Sequence, residues 1–428
     1  MRFIRTCWIV LFAGVVFALV INLGRSQPQL GTKEGLARDF TAADARYRKI
    51  TATGSTETLA SSDVKVADAL AKWYLHRITH KASYDPAKVQ AEFATFAEAK
   101  RTELGQQFID KYLGPAMVSN MREVLDLDLK ENPNIFVNAC MLLPTLAKLR
   151  SDAIGDYMVS LVSPGQPNEI TRLYAIKGLK ELMPIRIFDS GDVGLKDKEA
   201  RKARDVKSVE SLTKFIERPV KIDAMPPKQA AVVYYFRREA IASLAQGGAP
   251  AVVANKKQLE GSVAPTLLKV LANNSLQPPP SLQEKLDAAV GLCTMKYSNM
   301  SEYLPDVSVY LVARTLSEAV SEYKRDLPNF NGTGKDRKLP LILWKAEGKR
   351  LELALKELKE NAKATGAKTN VDQLESIGTP ILKSIQGYKE PLGNLVFDLN
   401  TAMLPKLKVS AGTGAVYKSV KAPLIPLN

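Results

Sequence analysis

The sequence predicts an all-α protein built from repeated pairs of helices. Four short segments each place an alanine four residues before a leucine, so that a small and a large contact share one helical face. These segments recur at intervals of 36, 65 and 48 residues, and the first and third intervals suit a two-helix repeat. Clusters of Gly and Pro separate the helical stretches. The segments are Phe136–Leu143, Arg172–Leu179, Arg237–Leu244 and Lys285–Leu292.

Each segment is followed by a stretch with helical periodicity, which predicts a second helix for every repeat. Before the last repeat, Ser281 stands three residues ahead of Glu284, and this spacing predicts a helix start with a reciprocal capping box. The four predicted second helices are Ala153–Ser163, Val209–Glu217, Val263–Asn273 and Val307–Tyr323.

The 65-residue interval requires an insertion between the second and third segments. The stretch Asp189–Gly194 is rich in Gly and Asp, and the charged run Lys196–Lys207 follows it. Because this run has no continuous apolar stripe, we expect it to form a solvated insertion.

The repeated segments resemble HEAT or armadillo-like repeats, in which antiparallel helix pairs stack side by side. The resemblance covers residues 134–325, although the repeat lengths are irregular and Phe136 stands where the other segments begin with a basic residue. It implies a right-handed α-α superhelix whose second helices line the concave face. An irregular all-α bundle is the alternative. The basic residues that this arrangement places on the concave face are Lys214, Arg218, Lys269, Arg314 and Lys324.

The regions outside the repeats divide by composition. Residues 27–60 are rich in Thr, Ala, Ser and Gly, which predicts a flexible linker. Residues 61–133 are expected to form an N-terminal helical cap, with Asp85 and Pro86 starting one of its helices. A C-terminal helical extension is predicted over 326–390, and a mostly irregular tail over 391–428.

The N-terminus has the pattern of an export signal. Arg2 and Arg5 precede the 16-residue apolar run Trp8–Leu23, which as a helix spans about 24 Å and is shorter than a typical bilayer core. A cleavable signal peptide over residues 1–26 is therefore predicted, with an uncleaved membrane anchor as the alternative. In both cases the remaining chain is expected in the periplasm or another extracytoplasmic space. Cys140 and Cys293 are interpreted as small buried hydrophobes.

The net charge of +15 predicts attraction to anionic partners. Nucleic acid is disfavoured, because acidic residues interrupt the basic runs and no aromatic residues alternate with them. A protein partner, an anionic lipid or a cell-wall polymer fits better.

The residues needed for common catalytic chemistry are scarce. Only His76 and His80 are available as imidazoles, and the glutamate of the H-E-x-x-H zinc motif is missing between them. No metal site, no catalytic residue and no cofactor site is therefore predicted, and the two histidines are assigned to a half-exposed helix face.

Together these patterns favour a non-enzymatic, exported or membrane-tethered scaffold that binds a partner through a repeat surface. The alternatives are an enzyme with an unrecognised carboxylate-based site, for which a deep pocket with perturbed carboxylates is expected, and a purely structural envelope protein.

Overall fold

The computed structural model of the chain describes residues 30, 32–80, 85–99, 101–126, 133–163, 168–188, 198–255, 258–272, 275–297, 302–331, 342–362, 368–391, 393–419 and 423–427. The predicted leader, residues 1–26, lies outside these residues. The chain divides into two compact units between Ile154 and Gly155.

The helices of the first unit surround one central helix, α2. This helix packs against α1, α3, α5, α6 and a π-helical turn. The bounds are α1 Lys33–Thr51, α2 Asp63–Thr79, α3 Pro86–Glu98, α4 Glu103–Phe108, the π-helical turn Ile109–Leu113, α5 Gly114–Leu125 and α6 Pro133–Ala147; α7, Asp152–Val162, begins in this unit. The core contains a cluster of aromatic rings from Tyr47, Tyr74, Phe93, Phe96 and Phe108.

The predicted linker over 27–60 is wrong for most of its length, because Lys33–Thr51 forms the helix α1. Thr32 caps this helix by accepting a hydrogen bond from the Gly35 amide, at 3.2 Å. The helix buries Leu36, Ala43, Tyr47 and Ile50, a stripe with helical spacing that the abundant Thr and Ala residues conceal. Arg46 then ties α1 to α2 through Asp63 at 2.9 Å, and this guanidinium lowers the pKa of the Asp63 carboxyl.

The second unit contains the other three predicted segments. Its helices are α8 Glu169–Phe188, α9 Lys198–Ile216, α10 Pro227–Gln246, α11 Val263–Ala272, α12 Leu282–Cys293, α13 Asp306–Asn331, α14 Trp344–Ala362, α15 Lys368–Gln386, α16 Gly393–Asp398 and α17 Leu404–Ala411, with a π-helical turn Leu399–Met403 between the last two. The helical fold class is confirmed. Its exception among the described residues is an antiparallel hairpin of β1, Ala251–Asn255, and β2, Gln258–Ser262, which packs against α9.

Helices of corresponding position contact each other in this unit. The first helices α8, α10 and α12 pack in succession, and so do the second helices α9, α11 and α13. Each first helix also packs against its own second helix. The pair α14 and α15 continues both series, because α14 packs against α12 and α15 packs against α13. The predicted extension over 326–390 therefore contributes a further helix pair to the same set of contacts.

The alanine-to-leucine spacing that the segments share reflects the burial of both residues. Ala175, Ala240 and Ala288 are fully buried, as are the leucines four residues later, Leu179, Leu244 and Leu292. The small residue before the leucine lies where neighbouring first helices meet. Ser243 donates a hydrogen bond to the Ile176 carbonyl at 2.9 Å, and a Cβ atom on Gly291 would lie 2.5 Å from the Cβ of Ala245.

Two further predictions need correction. The division between 61–133 and 134–325 is wrong, because α6, which carries Phe136–Leu143, belongs to the first unit and packs against α2, α3 and α5. The predicted insertion also differs, since most of the charged run lies in α9, which begins at Lys198 and buries Asp205 and Val206. Charged residues on one face do not prevent a helix from burying the other.

The predicted irregular tail over 391–428 is largely ordered. A helical stretch over 393–411 buries Leu399, Met403, Leu407 and Ala411, which lie four residues apart, against α13 and α15. Beyond it, the buried Tyr417 donates a hydrogen bond to the Pro250 carbonyl at 3.1 Å. Pro405 and the mixed composition hide this stripe in the sequence, and packing against two helices stabilises it.

Candidate binding groove on the first helices

A groove of about 570 Å³ crosses the first helices of the second unit. Residues of α8, α10, α12 and α14 line it, together with residues of the loops after α10 and α12. We call this surface the first-helix groove. Its charged lining residues are Lys180, Arg238, Glu239, Asp287, Lys296 and Arg350.

Small residues form part of the groove lining. Ala242, Ala245 and Gly291 all line it, and the last two mark the close approach of α10 to α12. Because these residues have side chains of at most one methyl group, they leave the space on the groove side of the helices unfilled. The groove lining therefore combines charged side chains with small residues, and Tyr235, Gln246, Val290 and Thr294 complete it.

Two arginines share one carboxylate in the groove. Arg238 Nε lies 2.8 Å from one oxygen of Asp287, and Arg350 Nη2 lies 2.5 Å from the other. Arg238 also donates a hydrogen bond to the Gln283 amide oxygen at 2.8 Å. These contacts join α10, α12 and α14 and hold both guanidinium groups at the groove.

The groove carries more positive than negative charge. Four cations and two carboxylates line it, and the single charge of Asp287 is shared between two guanidinium groups. Lys296 is exposed and Lys180 is half-buried. The excess of cations makes the groove complementary to an anionic group.

Aromatic residues stand beside this charge. The Lys177 ammonium lies 5.6 Å from the ring centroid of Tyr174 and 5.5 Å from that of Tyr235. Tyr235 lines the groove, and burial raises the pKa of its hydroxyl, which therefore stays protonated. Tyr and Arg are the residue types enriched at the energetic centres of protein interfaces.

One perturbed carboxylate borders the groove. Glu347 contacts Arg350 at 3.2 Å, and burial raises the pKa of the Glu347 carboxyl despite that contact. Glu347 is not itself part of the groove lining. Its position behind Arg350 suits a carboxylate that orients a guanidinium.

The basic residues expected on the second helices lie elsewhere and are mostly balanced by acidic neighbours. The five residues are absent from the lining of the groove. The ion pairs are Lys214–Glu210 at 3.9 Å, Arg218–Glu169 at 3.4 Å, Lys269–Glu217 at 2.6 Å and Arg314–Glu318 at 3.5 Å, whereas Lys324 is exposed. The structure does not bring these five residues together into one basic site.

The basic residue that opens three of the segments is structural. Arg237 is buried, and its guanidinium contacts the buried Glu284 at 2.5 Å and the Pro278 carbonyl at 2.8 Å. Lys285 is also buried and contacts Glu318 at 2.6 Å, while the buried Arg172 pairs with Glu169. Glu284 completes the predicted capping box with Ser281, so this prediction is confirmed.

The groove residues were not identified from sequence because each resembles an ordinary exposed charge. Arg238 directly follows the buried Arg237, and the two face different environments. The two consecutive arginines, Arg237 and Arg238, are the feature of the sequence that could have indicated the groove. Only the packing of α12 and α14 beside α10 shows which arginine faces the groove.

The histidine pair in the first unit does not form a half-exposed face, because His76 is buried and only His80 is half-buried. Their rings stack with centroids 3.8 Å apart. Burial, and then the charges of His80 and Lys33, lower the pKa of His76 to about 4. Among the residues that the structure describes, no group of three His, Cys, Asp or Glu side chains is arranged to hold a metal ion.

Comparison of the chain with protein-family models, curated proteins and solved structures gives no significant match. Within the described ranges, no helix combines the length and the apolar character needed to cross a membrane. The geometry of the groove therefore carries the functional argument.

Proposed function

We propose that this protein is a non-enzymatic helical-repeat scaffold whose first-helix groove binds an acidic segment of a protein partner. The observation that carries this proposal is the excess of cations in a groove that spans four first helices. A surface assembled from successive repeats is the usual binding surface of repeat proteins.

The proposal also includes the arrangement of the helix pairs. We infer a right-handed α-α superhelix of the HEAT or armadillo-like kind, and the succession of contacts among first helices and among second helices supports it. The groove, however, lies on the first helices, whereas the resemblance implies a binding face on the second helices. The charge distribution favours the first helices, because four cations and two carboxylates line one groove there, and none of the five basic residues of the second helices lines it.

An acidic peptide suits the groove better than nucleic acid. Glu239 and Asp287 would repel a continuous phosphate backbone, but a peptide of mixed composition can place its carboxylates on Arg238 and Arg350 and avoid both acids. Tyr235 adds an amphipathic surface for an apolar side chain beside those carboxylates.

Export to an extracytoplasmic compartment is part of the proposal. Its support is the basic start and the apolar run of the N-terminal sequence. In such a compartment, anionic lipids and cell-wall polymers would compete with an acidic protein for the same cations.

A carboxylate-based enzyme is the second candidate function, and the raised pKa of Glu347 is the observation that favours it. Against it, Glu347 does not line the groove, and its carboxylate contacts Arg350 at 3.2 Å. A general acid needs a carboxyl group that holds its proton near neutral pH.

The proposal can be tested by fluorescence anisotropy with a short fluorescein-labelled peptide of alternating Glu and Tyr. Reversing two groove charges with Lys180→Glu and Lys296→Glu should weaken binding at least tenfold, because attraction becomes repulsion. Raising the salt concentration should weaken binding to the parent protein as well.

The matched control reverses two charges outside the groove, with Lys214→Glu and Lys324→Glu. Because the net charge changes equally, this control should alter the affinity by less than twofold. Equal losses in the two double variants would overturn the groove assignment, and so would the absence of binding by the parent protein.

A further inference from the structure

The three most exposed large apolar side chains of the described residues lie in the C-terminal part of the chain. Val409 is 82% exposed, and Phe397 and Leu424 are each 65% exposed. The next values, for Val64 and Leu353, are 53%. Exposed single hydrophobes are normal on proteins, so these side chains point to an interaction surface only together with the charges beside them.

The segment carrying two of these side chains is firmly attached to the second unit. We call Gly393–Ala411 the C-terminal helix; it consists of α16, the π-helical turn and α17. Its buried stripe packs against α13 and α15. Asn400 accepts a hydrogen bond from Ser317 at 2.6 Å, and Ser410 accepts one from Asn370 at 2.9 Å. Phe397 and Val409 therefore project from a fixed helix.

The same part of the chain is strongly basic. Residues 393–428 contain four lysines and a single acidic residue, Asp398. Lys406, Lys408 and Lys418 are exposed. In the rest of the chain, by contrast, 56 basic residues accompany 44 acidic ones.

We propose that the C-terminal helix docks on a lipid surface that contains anionic head groups. Phe397 and Val409 enter the interface between head groups and acyl chains, and Lys406 and Lys408 contact the anionic head groups. Helices that lie on membranes combine exposed apolar side chains with lysines in this way. Each lysine near an anionic surface strengthens binding about fivefold.

A lipid surface fits better than a protein partner or a second copy of this chain. Phe397 and Val409 are twelve residues apart, about 18 Å along the helix, and lysines lie between them. The central part of a protein interface is instead a contiguous apolar patch depleted of lysine. A bilayer surface accepts separated apolar side chains, because each one inserts independently.

The experiment uses the full chain with tryptophan placed at the proposed points of insertion, in the variants Phe397→Trp and Val409→Trp. Vesicles of phosphatidylcholine with about one third phosphatidylglycerol, some containing brominated lipids, should shift the added tryptophan emission to the blue and quench it. The fluorescence of the unmodified chain is subtracted, so insertion of a leader does not contribute.

The matched control is Val64→Trp, at an exposed apolar position outside the C-terminal helix; it should show neither quenching nor a shift. Lys406→Glu combined with Lys408→Glu should weaken vesicle binding of the Phe397→Trp chain at least tenfold.

Quenching that is equal at Val64, or equal with pure phosphatidylcholine, would overturn the proposal. A blue shift that depends on protein concentration without vesicles would also overturn it, by identifying a second copy as the occupant. Quenching of tryptophan at positions 397 and 409 reports insertion of the C-terminal helix, whereas the peptide titration reports binding at the first-helix groove, so each proposal can fail separately.

Discussion

The first and second helices of the second unit use basic residues differently. In the first-helix groove, four cations and two carboxylates line one surface. On the second helices, Lys269 and Arg314 have carboxylates within 4 Å. The comparison shows that a net charge of +15 does not define a binding surface. The local ratio of cations to their carboxylate partners does.

A second contrast lies within the repeat segments. Arg237 and Arg238 are adjacent in sequence, yet one is buried between α10 and the start of α12 and the other faces the groove. The Arg237–Glu284 ion pair is buried and joins α10 to α12, whereas Arg238 is half-buried and lines the groove. Four predictions test this distinction, from the largest expected effect to the smallest.

The largest effect is expected from Arg237→Ala. This change leaves the carboxylate of Glu284 buried without its guanidinium, which should lower the free energy of unfolding by about 3–5 kcal/mol. Urea unfolding followed by circular dichroism measures it. Replacing both partners, with Arg237→Met and Glu284→Leu, should recover much of the loss, because no charge then remains buried. A double variant as unstable as the single one would contradict this assignment.

The next effect concerns the close approach of α10 and α12. Gly291→Ala places a methyl group 2.5 Å from the Ala245 side chain, so the helices must separate, at a cost of about 1–3 kcal/mol. Thermal unfolding of the variant measures the loss. The compensating change Ala245→Gly should restore part of the stability in the double variant, and additive losses in the two variants would disprove the contact.

A smaller effect, on binding, is expected from Asp287→Asn. Asp287 is the carboxylate that Arg238 and Arg350 share. Without its charge, both guanidinium groups should attract the peptide carboxylates more strongly, and the affinity for the Glu–Tyr peptide should rise about three- to tenfold. Anisotropy titration measures it. Glu217→Gln is the matched control, because it removes the same charge beside Lys269 on the second helices and should change the affinity less than twofold. An equal gain in both variants would show that net charge alone controls binding.

The smallest effect is expected from Lys214→Ala. Its contact with Glu210 is 3.9 Å long and both side chains are well exposed, so the change in unfolding free energy should stay within about 0.5 kcal/mol. A loss above 1 kcal/mol in chemical unfolding would mean that this pair stabilises α9 beyond an ordinary surface contact.

Some of the fold followed from local sequence alone. The helices carrying Ala175, Ala240 and Ala288 were predicted because a buried helical face requires apolar residues at fixed spacing, wherever the helix packs. The capping box at Ser281 was likewise predictable, since its two hydrogen bonds form within four residues. Helix α1 and the C-terminal helix were missed, because their buried stripes are sparse and packing against neighbouring helices stabilises them.

Some features of the candidate groove likewise follow from the sequence, and others only from the tertiary structure. The sequence by itself determined the amount of positive charge, the scarcity of histidine and the repeated small residues that let first helices meet closely. Only the tertiary structure decided which charges have partners, because Glu284, Asp287 and Glu217 reach arginines or lysines that are about 50 residues away in sequence. Ion pairs form through space, and a sequence pattern registers only neighbours along one helix.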